Sequence, residues 1–211
     1  MNEASPIVYV VDDDASVRKS LARLLKSMGY PARPFASARE FLDAWCREPT
    51  MGCLLLDVRL PGINGFELHD QLRESSCPIP VIFITGHGDI PMSVRAMKAG
   101  AVDFLAKPFQ EEDLLQAVRE ALARAEQSLA EHTEHEAMAA LYGRLTPRER
   151  EVMARVVHGL SNKRIAAELG TCEKTIKVHR GRVMEKMKVR SVADLVRASQ
   201  KAGIELVPSP E

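Results

Sequence analysis

The chain has 211 residues, with 29 basic and 29 acidic side chains and four cysteines, enough length for two modest domains that each bury a core. No apolar run approaches the roughly 20 residues of a membrane span. Met1-Asn2-Glu3-Ala4-Ser5 has neither the basic start nor the hydrophobic stretch of a secretion signal, so a cytoplasmic location without membrane contact is expected. Cys46, Cys53, Cys77 and Cys172 lack CxxC spacing and nearby His ligands; they signal neither a zinc site nor a disulfide frame, and are expected to be small core fillers. The neutral total conceals an asymmetry: residues 143–207 hold 15 basic and 7 acidic residues, net +8, and residues 1–142 hold 14 basic and 21 acidic, net −7. Such a split is expected where only the C-terminal part meets nucleic acid.

Ile7 to Val11 is a short β-branched run ending in Asp12-Asp13-Asp14, the pattern of a buried strand that releases carboxylates at its C-terminal end. Val17, Leu21, Leu24, Leu25 and Met28 then recur at helical spacing, and Gly29 closes that helix. Phe35 falls in a weak strand, and Ser37-Ala38-Arg39-Glu40 is a capping box for a helix that turns Phe41, Leu42 and Trp45 inward. Cys53-Leu54-Leu55-Leu56-Asp57-Val58-Arg59-Leu60-Pro61-Gly62 is an apolar run that stops on an acid before Pro-Gly, a buried parallel strand that presents Asp57 at a sheet edge. A helix from about Gly65 to Leu72 follows, then a strand Val81 to Ile84 and a helix from about Met92 to Lys98, ended by Gly100. A fifth strand, Val102 to Ala106, leads through Lys107-Pro108-Phe109 into a long helix.

Five strands alternating with helices predict an α/β fold with a doubly wound five-stranded parallel sheet, because parallel neighbours need crossover connections. Such sheets bind ligands beyond the carboxyl ends of the strands, beside the point where strand order reverses. At those ends stand Asp12 and Asp13 after strand one, Asp57 after three, Thr85 after four and Lys107 after five. Clustered carboxylates repel and raise one another's pKa unless they share protons or a hard cation. Mg²⁺ suits oxygen ligands of this kind, with Asp13 and Asp57 as direct ligands, Asp12 direct or through water, and the Arg59 backbone carbonyl as a further oxygen. A cation opposite Lys107 neutralises an incoming phosphoryl group from two sides, leaving Asp57 as the nucleophile that forms an acyl phosphate.

With Asp12-Asp13, Asp57 followed by Leu60-Pro61-Gly62, Thr85 and Lys107-Pro108 in place, residues 6 to about 122 resemble a response-regulator receiver domain of the flavodoxin/CheY-like fold. Thr85-Gly86-His87-Gly88-Asp89-Ile90-Pro91-Met92 is similar to the FixJ-type subgroup. The resemblance implies a phosphohistidine on a sensor histidine kinase as donor, a cis Lys107–Pro108 bond, and Thr85 with Phe104 as a switch pair, the alternative for Phe104 being plain core packing. His87, at the rim, either influences water attack on the acyl phosphate or is a loop residue without catalytic duty. It further implies a non-enzyme: a phosphoacceptor with at most slow autodephosphorylation. Asp12-Asp13-Asp14 also offers the Asp-x-Asp of a haloacid dehalogenase-like phosphatase, but the late acids and lid insertion that this requires are not evident after Lys107.

Leu115, Val118, Leu122, Ala125 and Leu129 follow heptad spacing, so the last receiver helix is expected to run on as a linker helix, either a short dimer coil or a helix resting on its own domain. Thr146-Pro147-Arg148-Glu149 is a second capping box with Pro at the first helical position; Val152, Val156 and Val157 face the core of that helix and Gly159 ends it. Ser161 opens a helix holding Ile165, Ala166 and Leu169, and Gly170 makes the turn to a third that buries Ile176, Val183, Met184 and Met187. The opposite face of this third helix carries Lys174, Val178, Gly181 and Glu185, flanked by Lys177 and Arg182. That is a helix-turn-helix in an all-α domain, with a basic second member able to enter the major groove of double-stranded DNA.

Leu145-Thr146-Pro147-Arg148-Glu149-Arg150-Glu151-Val152, Gly159-Leu160-Ser161-Asn162-Lys163 and Lys174-Thr175-Ile176-Lys177-Val178-His179 resemble the LuxR-type DNA-binding domain over residues 143–204. The likeness implies that Lys177 and Val178 touch base edges, that Lys174, Thr175, Arg180 and Arg182 contact DNA around them, and that the last helix, about Val192 to Lys201, is a dimer surface. Cys172 stands where relatives often have a Ser cap, and Gly181 where some use a side chain on DNA. The expectation is a two-component transcription regulator of the FixJ/NarL type: receiver 1–122, helical linker 123–142 and DNA-binding domain 143–211. Its partners are a sensor kinase, paired DNA half-sites, a second copy once Asp57 is phosphorylated, and RNA polymerase. The alternative is a phosphorylation-independent DNA binder whose receiver only dimerises.

Overall fold

In the computed structural model, which describes residues 5–47, 50–74, 79–86 and 89–201, the chain forms two compact units, Met1–Leu129 and Ala130–Glu211. The first contains β1 (Ile7–Val11), α1 (Ala15–Ser27), β2 (Ala32–Phe35), α2 (Ala38–Trp45), β3 (Gly52–Asp57), α3 (Gly65–Glu74), β4 (Val81–Thr85), α4 (Ile90–Lys98) and β5 (Asp103–Ala106). The strands form one sheet in the order β2-β1-β3-β4-β5, every neighbouring pair parallel, as the alternation of strands and helices requires. Side chains alternate across it. Val8 and Val10 join Leu21, Leu25, Leu114 and Val118 in the cluster on one face, while Tyr9 and Val11 join Phe41, Trp45, Leu68 and Phe83 on the other. Covering both faces explains why the central strands read as unbroken apolar runs.

Strand order reverses between β1 and β3, where Val11 pairs with Leu56. One residue further along each strand stand Asp12 and Asp57, so the register alone places two carboxylates side by side at the carboxyl edge. α4 begins two residues before the sequence expectation, because Asp89 caps it by accepting from the Met92 N–H at 2.8 Å and Pro91 occupies its first turn. Around α2 the capping box is modified. Ser37 Oγ accepts the Glu40 N–H, but the Glu40 carboxylate accepts from Ala36, one residue before the cap. The expectation that the cysteines are core fillers holds for Cys53 alone, since Cys46 and Cys172 are exposed at helix ends; Cys77 and His87 lie outside the described residues.

α5 (Glu111–Gly143) is one helix. Leu114, Ala117, Val118, Ala121 and Leu122 pack on the sheet, whereas Leu141 and, in part, Met138 and Tyr142 belong to the core of the second unit. That unit continues with α6 (Pro147–Val157), α7 (Asn162–Glu168), α8 (Glu173–Lys186) and α9 (Val192–Lys201). Val152, Met153, Val156, Ile165, Ile176, Val183, Met187 and Leu195 fill its core. Met153 takes the buried position next to Val152, and Val157 is only partly covered. The capping box on α6 is complete, with Thr146 Oγ1 accepting from the Glu149 N–H and the Glu149 carboxylate accepting from the Thr146 N–H. Gly170, at φ +60°, makes the turn from α7 to α8, a conformation that costs glycine little.

Candidate functional site

At the carboxyl edge of the sheet, Asp12, Asp13 and Asp57 each offer an oxygen lying within 4.8 Å of the others. Lys107, at the exit of β5, donates from Nζ to Asp12 Oδ2 at 2.6 Å and stands 3.7 Å from Asp57 Oδ1. Its backbone N–H is held by the Thr85 carbonyl at 2.7 Å, and the following peptide to Pro108 is cis. Thr85 is fully buried at the end of β4, one residue beyond the Ile84 that pairs with Asp57. Phe104 is half-buried on β5 beside Phe83. The register of four strands thus brings the five predicted polar residues to one edge.

Asp57 is only 6% exposed, and its Oδ1 is a buried oxygen without a hydrogen-bond donor. Burial raises its pKa above the ordinary 3.8, and repulsion from Asp12 and Asp13 adds to this; Lys107 and the Arg59 N–H oppose the rise without cancelling it. Asp12 differs: it is buried but partnered by Lys107 and by the Asp14 N–H at 2.9 Å. Three converging carboxylates, one with an unmet buried acceptor, form a donor set suited to a small hard cation. The acids on β1 and β3 would hold it, leaving Lys107 for the other side of an incoming anion.

Two supports of this edge are not readable from the sequence. Arg18 reaches back from α1 and donates to the Asp12 carbonyl at 2.6 Å. Gly65 begins α3 so close to the strand end that a Cβ there would lie 2.4 Å from the Asp57 carbonyl oxygen, while its N–H donates to the Val58 carbonyl. Gly65 reads from sequence only as a helix start; the close approach is a property of the folded loop.

In the second unit, Lys174, Lys177, Val178, Gly181 and Arg182 lie on the exposed side of α8, Val178 being 48% exposed despite its apolar side chain. Thr175 is half-buried, and its Oγ1 is 3.2 Å from Cys172 Sγ. Cys172, at the N-cap, makes no full capping hydrogen bond; the Thr175 hydroxyl, and after it the Thr175 backbone N–H, lower its thiol pKa. Arg180 is also half-buried, with Nη1 donating to Asn162 Oδ1 at 2.8 Å. The C-terminal end of α8 is held by Lys186, whose Nζ donates to Glu149 Oε2 at 2.6 Å and to the Arg144 carbonyl at 3.3 Å. The capping box reveals one role of Glu149, but nothing local reveals a partner 37 residues away.

A phosphoacceptor-type sheet edge in one unit and a helix-turn-helix with a basic outward face in the other define a signal-responsive DNA-binding protein. Residues 8–119 match the family described as response regulator receiver domain, and residues 143–199 the family described as bacterial regulatory proteins, luxR family. Nodulation protein W of Bradyrhizobium diazoefficiens is 50% identical, across 94% of this chain and 87% of its own length. Transcriptional regulatory protein FixJ of the same organism is 43% identical, across 93% and 96%. Among solved structures, response regulator StyR is similar with a TM-score of 0.80 and 47% identity, covering 94% of this chain and 100% of that one; full-length FixJ from B. japonicum gives 0.57 and 42%, covering 95% and 98%. The chain therefore belongs to the response regulators that join a receiver to a LuxR-type DNA-binding domain, and it is a two-component transcription regulator of the FixJ type. Among the described residues, no helix is long and apolar enough to cross a membrane.

Proposed function

We propose that Asp57 receives a phosphoryl group from a phosphohistidine on a sensor kinase and that the modified chain dimerises on paired DNA half-sites in the cytoplasm. The observation that carries this reading is the buried Asp57 oxygen without a donor, set among Asp12, Asp13 and Lys107. The Asp57 carboxylate oxygen attacks phosphorus; the new P–O bond forms as the P–N bond to the donor histidine breaks, and that electron pair stays with the imidazole. Asp13 and Asp57, with Asp12 directly or through water and the Arg59 carbonyl, would hold Mg²⁺, which would supply positive charge to the transferring oxygens. Lys107 holds those oxygens from the opposite side. The Thr85 hydroxyl then donates to the phosphoryl group, Phe104 turns inward, and the altered surface of α4, β5 and α5 favours the dimer.

Here the receiver is residues 1–122, the linker 123–142 and the DNA-binding domain 143–211, with only slow autodephosphorylation. On DNA, Lys177 and Val178 read base edges, Lys174, Thr175 and Arg182 contact the backbone, and the dimer meets RNA polymerase. Incubation with a small radiolabelled acyl phosphate and Mg²⁺ tests the first step. Labelling of the wild type and none of Asp57→Asn is the expected result, and undiminished labelling of the variant overturns it. Oligomer mass measured with and without a phosphoryl mimic tests the second; an unchanged dimer supports the phosphorylation-independent alternative instead.

A further inference from the structure

Arg180 differs from the exposed Lys174, Lys177 and Arg182 of α8. At 3.6 residues per turn it lies about 160° around the helix from Val178 and Arg182 and about 120° from Lys174, about 60° beyond Lys177 at the rim of the exposed face, and it is half-buried where those residues are exposed. Its guanidinium is spent inside the domain, on Asn162 Oδ1 at 2.8 Å. Asn162 is the first residue of α7, directly after the Ser161 cap, so the bond joins the start of the first helix of the helix-turn-helix to the middle of the second. α7 is itself tied to α6, because Arg148 donates to the Leu169 carbonyl at its end, and α8 is tied to α6 by Lys186 on Glu149. Apolar packing through Ile176, Val183 and Met187 is non-directional and tolerates small rotations. A hydrogen bond from a planar guanidinium does not.

We infer that Arg180 is a positioning residue: through Asn162 it sets the rotation of α8 about its own axis, and so decides which side chains meet base edges, without contacting DNA itself. This rests on the assignment of α8 as the DNA reader. Non-specific affinity is largely electrostatic and survives a small rotation of α8, whereas base-edge bonds do not. Loss of the bond therefore lowers discrimination between sequences more than it lowers non-specific binding.

The test uses the full chain and two duplexes of equal length, one selected by the wild-type protein from a random-sequence pool and one scrambled. Arg180→Ala and Asn162→Ala are each expected to lose about tenfold on the selected duplex, little on the scrambled one, and to leave the salt dependence of binding unchanged. The double variant should be no worse than either single one, since both remove the same bond. Asn162→Ala keeps the arginine charge and is the decisive arm. If Arg180 were a phosphate ligand, Asn162→Ala would be neutral and Arg180→Ala would weaken both duplexes while lowering the salt slope by about 0.9; that result overturns the inference. A fall in thermal stability with an unchanged ratio between the duplexes, measured on folded protein, overturns it too. A wild-type chain that binds neither duplex removes the DNA-reading premise itself, an outcome distinct from wild-type binding with a neutral Asn162→Ala.

Discussion

Asp57 and Glu149 are both buried carboxylates, at 6% and 2% exposure, yet their surroundings drive them in opposite directions. Burial raises the pKa of Asp57, with help from its acidic neighbours. Burial also opposes ionisation of Glu149, but the Lys186 ammonium at 2.6 Å and the N–H of Thr146 outweigh it, and its pKa falls below the ordinary value. The receiver keeps an unmet acceptor among like charges, a donor set suited to a small hard cation. In the DNA-binding unit Glu149, Lys186, Arg148 and Arg180 are paired inward, and the basic face of α8 is left for a partner. One region works through what its interior lacks, and the other through what its surface offers.

Breaking the paired carboxylate should give one of the largest effects on stability. Glu149→Ala removes the capping-box carboxylate and the partner of Lys186, whose side chain is 34% exposed, and is expected to cost about 2 kcal/mol in urea unfolding, part of it recovered by Glu149→Met with Lys186→Met. A cost below about 0.5 kcal/mol would class the pair with ordinary surface ion pairs. Gly65→Ala attacks the other region, because its Cβ would meet the Asp57 carbonyl at 2.4 Å. A loss of about 2 kcal/mol is expected, with slower acyl-phosphate labelling; a wild-type labelling rate would show that the position of the loop does not control the reaction. On α8, Lys177→Ala should weaken the selected duplex by about 1.5 kcal/mol and relax base preference, and Lys174→Ala should chiefly lower the salt slope by about 1. Equal loss on all duplexes from Lys177→Ala would make it a backbone contact.

The smallest effect sharpens the contrast through pH. With its pKa raised in the fold, ionised Asp57 costs stability at neutral pH, and the cost disappears as pH falls through its folded value towards the ordinary 3.8. Asp57→Asn should therefore melt slightly higher than wild type near pH 7 and match it near pH 4. Glu149 has the opposite sign: its contribution is complete above the ordinary 4.5 and is lost as pH falls through its lowered folded value. Melting curves of Asp57→Asn and Glu149→Gln across that range should diverge in opposite directions from wild type.

Much of this was legible in the linear chain because it is local or periodic. Apolar runs ending in acids marked the strands, Thr146-Pro147-Arg148-Glu149 marked a helix start that forms with both cap bonds, and the 3.6-residue period separated the buried Ile176 and Val183 from the exposed Lys177 and Val178. Local chemistry misplaced what depended on neighbours. Cys46 and Cys172 pass for core residues by type alone, yet lie at exposed helix ends; the helical period already turns Arg180 towards the apolar side of α8, but nothing local names Asn162 as its partner.

Residue order by itself determined the alternation of strands and helices, the polar strand ends and the basic face of α8, since these follow from backbone periodicity and side-chain type. Only the tertiary structure decided that Asp57 Oδ1 would lack a donor while Glu149 gained Lys186, that Gly65 would press on the Asp57 carbonyl, and that Arg180 would meet Asn162. Those outcomes depend on groups brought together from distant parts of the chain, and in a buried site of low dielectric the presence or absence of one such partner sets the sign of the energy.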